Sequence, residues 1–158
     1  MNYSILRKQP TNWKYLCYRN PQKGPYIMFD KEGHIVGRMA AGKEFINNND
    51  MYNPGKKDYY SLFIQRLYVP KEYRGQGIGS AFLRIAAKES YRRGCNGNVH
   101  VIAGSFEQGA KPPQKIYRRA GFNSQNKTHI EMIDKAIAEN TPLPPARWVT
   151  PMYLEGKD

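Results

Sequence analysis

The stretch Ser61-Leu62-Phe63-Ile64-Gln65-Arg66-Leu67-Tyr68-Val69-Pro70 runs into Lys71-Glu72-Tyr73-Arg74-Gly75-Gln76-Gly77-Ile78-Gly79-Ser80, and the order of these two segments decides the fold. Residues 60–69 are apolar and aromatic, the pattern of a buried central strand, and Pro70 stops it. Directly after the glycines, Ile78, Phe82, Ile85 and Glu89 fall on one helical row, with Ala81 and Ala86 beside it. Arg92 and Arg93 suit the carboxyl end of that helix, where the dipole is negative, and Gly94 is placed to take a left-handed cap. Residues 98–103, with Val99, Val101 and Ile102, read as the next strand. The unit is therefore strand, glycine turn, helix, strand, which makes the two strands parallel.

Outward from this unit the signals are weaker but consistent. Residues 26–30 and 34–39 are β-prone runs joined by Lys31, Glu32 and Gly33, a hairpin, and residues 47–58 are rich in Asn and Lys and read as a long loop. Pro112 and Pro113 open a second helix, residues 114–120, closed by Gly121. Thr128-His129-Ile130-Glu131 matches a capping box, with Ile130, Ile133 and Ile137 on one face of a third helix. Residues 147–154 form a last strand, which Pro151 sends to an edge or a bulge. Without repeats or a low-complexity linker, residues 1–158 are expected to be a single domain.

Composition narrows the class of protein. A chain of 158 residues with 40% hydrophobic content is too apolar to be disordered, and no run approaches the ~20 apolar residues of a membrane span. The amino terminus lacks the succession of a secretion signal, so the chain reads as cytoplasmic. Cys17 and Cys95 have no metal-ligand spacing and read as two reduced thiols, and no metal is expected. Twenty-five Lys and Arg against thirteen Asp and Glu give +12, which draws in any anionic partner and leaves nucleic acid open as one. Residues 111–119 concentrate this bias, with Lys111, Lys115, Arg118 and Arg119 and no acid.

A turn made of Gly75, Gly77 and Gly79 between a strand and a helix lets backbone N–H groups converge at the positive end of a helix dipole, a cradle for phosphate. The Walker A pattern is absent, since Gly79 is followed by Ser80 and Ala81. The dinucleotide fingerprint is absent too, because the spacing is G-x-G-x-G and residues 91–97 hold no carboxylate. What remains is Arg74-Gly75-Gln76-Gly77-Ile78-Gly79, an R-x-x-G-x-G, preceded by Leu67-Tyr68-Val69-Pro70 and followed by Ile116-Tyr117-Arg118-Arg119-Ala120-Gly121-Phe122. In this order and spacing, over about residues 61–123, the chain resembles the GNAT N-acetyltransferase superfamily.

The resemblance implies an α/β fold with a mixed sheet, the GNAT-like acyl-CoA acyltransferase fold, in which a central splayed parallel strand pair is flanked by helices. It implies acetyl-CoA as cosubstrate, its pyrophosphate on Arg74, Gly75, Gln76, Gly77, Ile78, Gly79 and Ser80, and its pantetheine arm in the strand gap along Leu67, Tyr68 and Val69. Tyr117, four positions before Gly121, stands where the family often carries the tyrosine that protonates the leaving sulfur, and a backbone N–H near Val69 would meet the oxyanion. Phe122 reads as core.

Two departures from the family pattern stand out. The central strand has Gln65 and Arg66 where many members place a carboxylate, which leaves Glu107 as the nearest candidate base. Ala110 stands where an asparagine is often found. His100 reads as a packed or partnered strand residue, and His34 and His129 as surface residues.

The expected activity is acetyl transfer to an amine by direct attack on the thioester. Two alternatives stay open: an RNA-linked amine as acceptor, of the aminoacyl-tRNA type, and a non-catalytic module that binds acyl-CoA or nucleic acid. The acceptor is unassigned, as is the choice between monomer and homodimer. It would be shaped by the first sixty residues and the carboxyl-terminal segment.

Overall fold

The computed structural model describes residues 4–5, 15–19, 24–104, 112–143 and 148–157. Seven strands form one sheet in sequence order: β1 (Ser4–Ile5), β2 (Tyr15–Arg19), β3 (Tyr26–Asp30), β4 (Ile35–Ile46), β5 (Tyr59–Tyr68), β6 (Val99–Ala103) and β7 (Thr150–Leu154). Every neighbouring pair is antiparallel except β5 and β6, which are parallel and joined through α1 (Ile78–Arg92). Two further helices follow β6, α2 (Gln114–Arg119) and α3 (Lys127–Ala138). The mixed sheet and its crossover helix are those expected from the sequence.

The core explains the arrangement. Leu62 and Ile64 of β5, Val99 and Val101 of β6 and Met39 of β4 are buried on one face, together with Ile78, Phe82 and Ile85 of α1. Gly37 permits that contact, because a Cβ there would lie 2.6 Å from Phe82 Cε2, and α1 could not lie so close to β4. Glu89, on the same buried row, accepts from Tyr26 Oη at 2.9 Å and from Arg92 Nε and Nη2 at 2.7 Å, so the charge it brings into the core is paired. Tyr117, Phe122, Ile133 and Met152 complete the same cluster. Gly94 takes φ +81 just beyond α1, the left-handed stop its position implied. Both cysteines are free and buried.

Three details differ from the sequence reading. β4 continues seven residues past Met39 to Ile46, because β5 supplies a paired neighbour along that length. Helix α3 is capped by Asn126, whose Oδ1 accepts from His129 N at 3.1 Å; Thr128 lies inside the helix, and the capping box is not formed. His129 is half-buried, with its Nδ1 2.7 Å from Thr150 Oγ1 and its ring edge-on to Trp148, whereas His34 is exposed beside Asp30. Pro151 sits in β7, at the edge of the sheet.

Candidate active site

The parallel ladder between β5 and β6 is short. It pairs Leu62 with Val99, Phe63 with His100 and Ile64 with Val101, and ends there. Beyond it β5 runs on to Tyr68 held only by β4, through Leu67 with Met39 and Tyr68 with Arg38, while β6 turns its remaining pairing to β7, up to Ala103 with Thr150. The extra residue Gln65, which bulges where the β4 register shifts between Ala40 and Ala41, bends β5 at the point of separation. The strands splay, leaving a gap bordered by residues 65–69 and 102–104.

Leu67 and Val69 are half-buried on the helix side of this gap, and Tyr68 faces the other way and is exposed. The Val69 carbonyl accepts from Arg74 Nε at 2.8 Å, and its N–H donates to no described residue. Arg74 also lies over the Tyr68 ring, 6.0 Å from its centroid.

Past Pro70 and a single 3-10 turn (Lys71–Tyr73) the chain enters the glycine turn. Gly75 and Gly77 hold φ of +79 and +81, the left-handed region where a side chain would be strained. A Cβ on either would meet nothing within 4 Å, so the surface above the turn is open. Gly77 is the N-cap of α1 and offers no side-chain bond, and the first turn holds no acid. Among the described residues, none of the main-chain N–H groups of residues 75–80 has an acceptor, and the first helical bond is Ala81 N to Gly77 O at 3.0 Å. Six donors thus stand at the positive end of a fifteen-residue helix with no internal partner. The Gln76 side chain points elsewhere, its Oε1 accepting from Tyr15 Oη at 2.8 Å.

Helix α2 flanks this turn, since a Cβ on Gly79 would lie 3.8 Å from Ile116 Cδ1. Tyr117, the next residue, is only 5% exposed and packs edge-on against Phe122 with ring centroids 5.3 Å apart. Burial pushes its phenol up to about 12, so it stays protonated and keeps a proton to donate. Gln114 fixes the start of α2: its Nε2 donates to Ala103 O at 3.2 Å and to Trp148 O at 3.3 Å, tying the helix to the ends of the two strands beyond the gap. No local pattern marked Gln114, because its partners lie 11 and 34 residues away.

Below the gap, His100 is buried, with Nδ1 2.7 Å from Ser61 Oγ and Nε2 3.3 Å from Glu44 Oε1. Its ring stacks on Phe63 at 4.8 Å. Burial drives its pKa below the ordinary value against the pull of the Glu44 carboxylate, so the ring is neutral. This is the partnered strand histidine the sequence implied, and Glu44 is a carboxylate that no motif pointed to. Glu107 and Ala110 lie outside the described residues.

Leu67, Tyr68, Val69, Arg74, Gly75, Gln76, Gly77, Ile78, Gly79 and Ser80 follow one another at one end of the gap, with Ile116 of α2 against Gly79, while the Tyr117 ring lies in the core against Phe122. Known proteins share this fold. At TM-score 0.54 and 15% identity, 84% of this chain superposes on 71% of a chain in the crystal structure of the NatC complex bound to Gag peptide and CoA. Arabidopsis thaliana NAA60 in complex with acetyl-CoA matches at TM-score 0.52 and 14% identity, over 84% of this chain and 76% of that one. In sequence, 36 residues, 23% of the chain, are 47% identical to acetyltransferase Atu2258 of Agrobacterium fabrum, and the match spans 26% of that protein. The profile of the acetyltransferase (GNAT) domain covers residues 22–124, most of the chain, and includes both strands of the gap and the glycine turn. The chain belongs to the GNAT acetyltransferase family.

Proposed function

We propose that the protein transfers the acetyl group of acetyl-CoA to an amine by direct attack. The observation that carries this reading is the set of six main-chain N–H groups, residues 75–80, that have no acceptor among the described residues at the start of α1. A diphosphate is the ligand such a set accepts, since it satisfies several donors at once and places negative charge at the positive end of the dipole. Arg74, Gly75, Gln76, Gly77, Ile78, Gly79 and Ser80 would hold it. The amide-bearing arm of the same molecule would complete the ladder that β5 leaves open along Leu67, Tyr68 and Val69, as an added strand does.

With the donor so held, the thioester lies in the gap and the Val69 N–H is available to its carbonyl oxygen as charge develops. The amine attacks as the free base, its lone pair forms the new C–N bond, and the C–S bond breaks. Tyr117 donates its hydroxyl proton toward the departing sulfur, and the proton lost by the nitrogen returns through solvent to the phenolate. Against a thiol of about 8.5 a phenol raised by burial is an uphill proton source, so Tyr117 helps by hydrogen bonding as the thiolate forms. A lysine-like amine, about 10.4 in water, must first lose a proton, so turnover should rise with pH through the neutral range.

Isothermal titration with CoA, paired with thiol release from acetyl-CoA over a panel of amines, tests the reading. Binding with turnover is expected. Binding without turnover on any amine would make the protein a binding module, and no binding would remove the reading altogether.

A further inference from the structure

The face of the gap opposite α1 carries charge that no described residue pairs with. Residues alternate along a strand, so Arg38 and Ala40 of β4 and Arg66 and Tyr68 of β5 share the face opposite α1. Arg38 pairs across the strands with Tyr68, and Ala40 with Arg66. The two arginines are therefore diagonal neighbours, their Cβ atoms about 7 Å apart, which lets two guanidinium groups converge on one small anion. Together with Pro25 they line a cavity of about 280 Å³.

Neither Arg38 nor Arg66 makes a hydrogen bond or ion pair with a described residue. Other arginines of the chain are matched: Arg92 with Glu89 and Arg118 with Asp134. The acids nearest in the sheet are also engaged, Asp30 with His34 and Glu44 with His100. Both side chains are exposed, so solvent screens their mutual repulsion, and an anion seated between them would remove what remains of it.

Their position gives the anion a role. On the helix side of the gap Leu67 and Val69 are half-buried against the core. On the other side Tyr68 and Ile102 border the gap 40% and 44% exposed, and Arg66 stands between the bulge at Gln65 and Tyr68, beside the place where the strands part. An acceptor entering from this face passes Arg66 and Arg38 before it reaches the thioester.

We propose that Arg38 and Arg66 select the acceptor: a small amine that carries a carboxylate or a phosphate a few ångströms from its nitrogen, with the anion on the two guanidiniums and the nitrogen directed into the gap. This rests on the acetyl-transfer reading above and names its substrate class. The arginine fork binds either anion bidentately, and its charge stays fixed across the pH range in which the amine must be deprotonated.

The test uses amines paired by charge: β-alanine against β-alaninamide, for a carboxylate, and phosphoethanolamine against ethanolamine, for a phosphate. For the parent protein, Arg38→Gln, Arg66→Gln and the double variant, the ratio of kcat/KM within each pair is measured at low salt, with CoA affinity by calorimetry and folding by thermal melt. The parent should prefer the anionic member, and each single variant should lower that ratio about tenfold to a hundredfold, the scale of a charged hydrogen bond. The ratio removes differences in amine basicity, since these are the same for every variant. CoA affinity should stay at the parent value. The carboxylate and phosphate pairs show which anion is favoured.

Equal kcat/KM within both pairs in the parent overturns the proposal. So does a loss of CoA affinity in the variants with the ratio unchanged, which would give the arginines to the donor's phosphates. Salt-sensitive binding of an RNA oligonucleotide that the double variant loses, without discrimination inside the amine pairs, would assign them to nucleic acid and also overturn it. Failure of the acetyl-transfer reading is separate and visible, because then CoA gives no heat and no amine releases thiol.

Discussion

The lower and upper halves of the β5–β6 pair behave as opposites. Below, three parallel pairings close the ladder, Ser61, His100 and Glu44 bond to one another, and the ring of His100 stacks on Phe63. Above, the ladder stops, and among the described residues six main-chain donors of the glycine turn have no acceptor and Arg38 and Arg66 have no counter-charge. Burial and pairing in the lower half hold the sheet together. The groups of the upper half lie open to solvent, which satisfies them in the free protein and can be displaced by a ligand that meets several of them at once. The division between structure and function in this protein thus falls within a single pair of strands.

Breaking the core contact between α1 and β4 should be felt as stability. Phe82→Ala removes the ring that fits against Gly37 under the sheet and should cost about 3–5 kcal/mol in urea unfolding. A loss under about 1 kcal/mol would mean that α1 is not seated on β4 as described. Breaking the upper half should be felt as rate. Tyr117→Phe should fold normally and lose about a hundredfold in kcat, or about 2.7 kcal/mol of transition-state stabilisation. Unchanged turnover would return Tyr117 to the core that surrounds it.

The histidine below the gap sharpens the contrast through pH. His100→Leu leaves Ser61 and Glu44 without their partner and should cost about 1–3 kcal/mol. Burial holds the folded-state pKa of His100 below its ordinary value of 6.5. The neutral ring therefore contributes its full stability above that value, and the contribution is lost as pH falls through 6.5 toward the lower folded value, because the unfolded chain takes up the proton first. The parent's melting temperature should fall over that window, and the Leu variant should fall less. A parallel fall in both would show that other groups carry the dependence. At the small end, Asn126→Ala should cost about 1 kcal/mol and Thr128→Ala far less, which distinguishes the observed cap from the capping box.

Much of this was legible in the sequence because it is local. A glycine turn between an apolar run and a helical row specifies a crossover from neighbouring residues alone, and Gly94 and Gly121 mark helix ends by their position, with φ of +81 and +100. The far half of β4 was not legible, since Ala41, Gly42, Lys43 and Glu44 have little strand character and are held by β5. Asn126 was hidden by a better-looking motif two residues on. Gln114, the Ser61–His100–Glu44 chain and the diagonal of Arg38 and Arg66 depend on strand register and on contacts tens of residues apart, and no short pattern in the chain encodes those.

The amides of residues 75–80 are the proposed anchor of the donor, and a ¹⁵N–¹H NMR titration with CoA observes them one at a time. Their resonances should move furthest and first, downfield as expected of new hydrogen bonds to phosphate, with the edge amides at Leu67 and Val69 following. If they hold still while other amides shift, or if nothing shifts at millimolar CoA, the donor is held elsewhere or not at all, and the assignment of this turn is wrong.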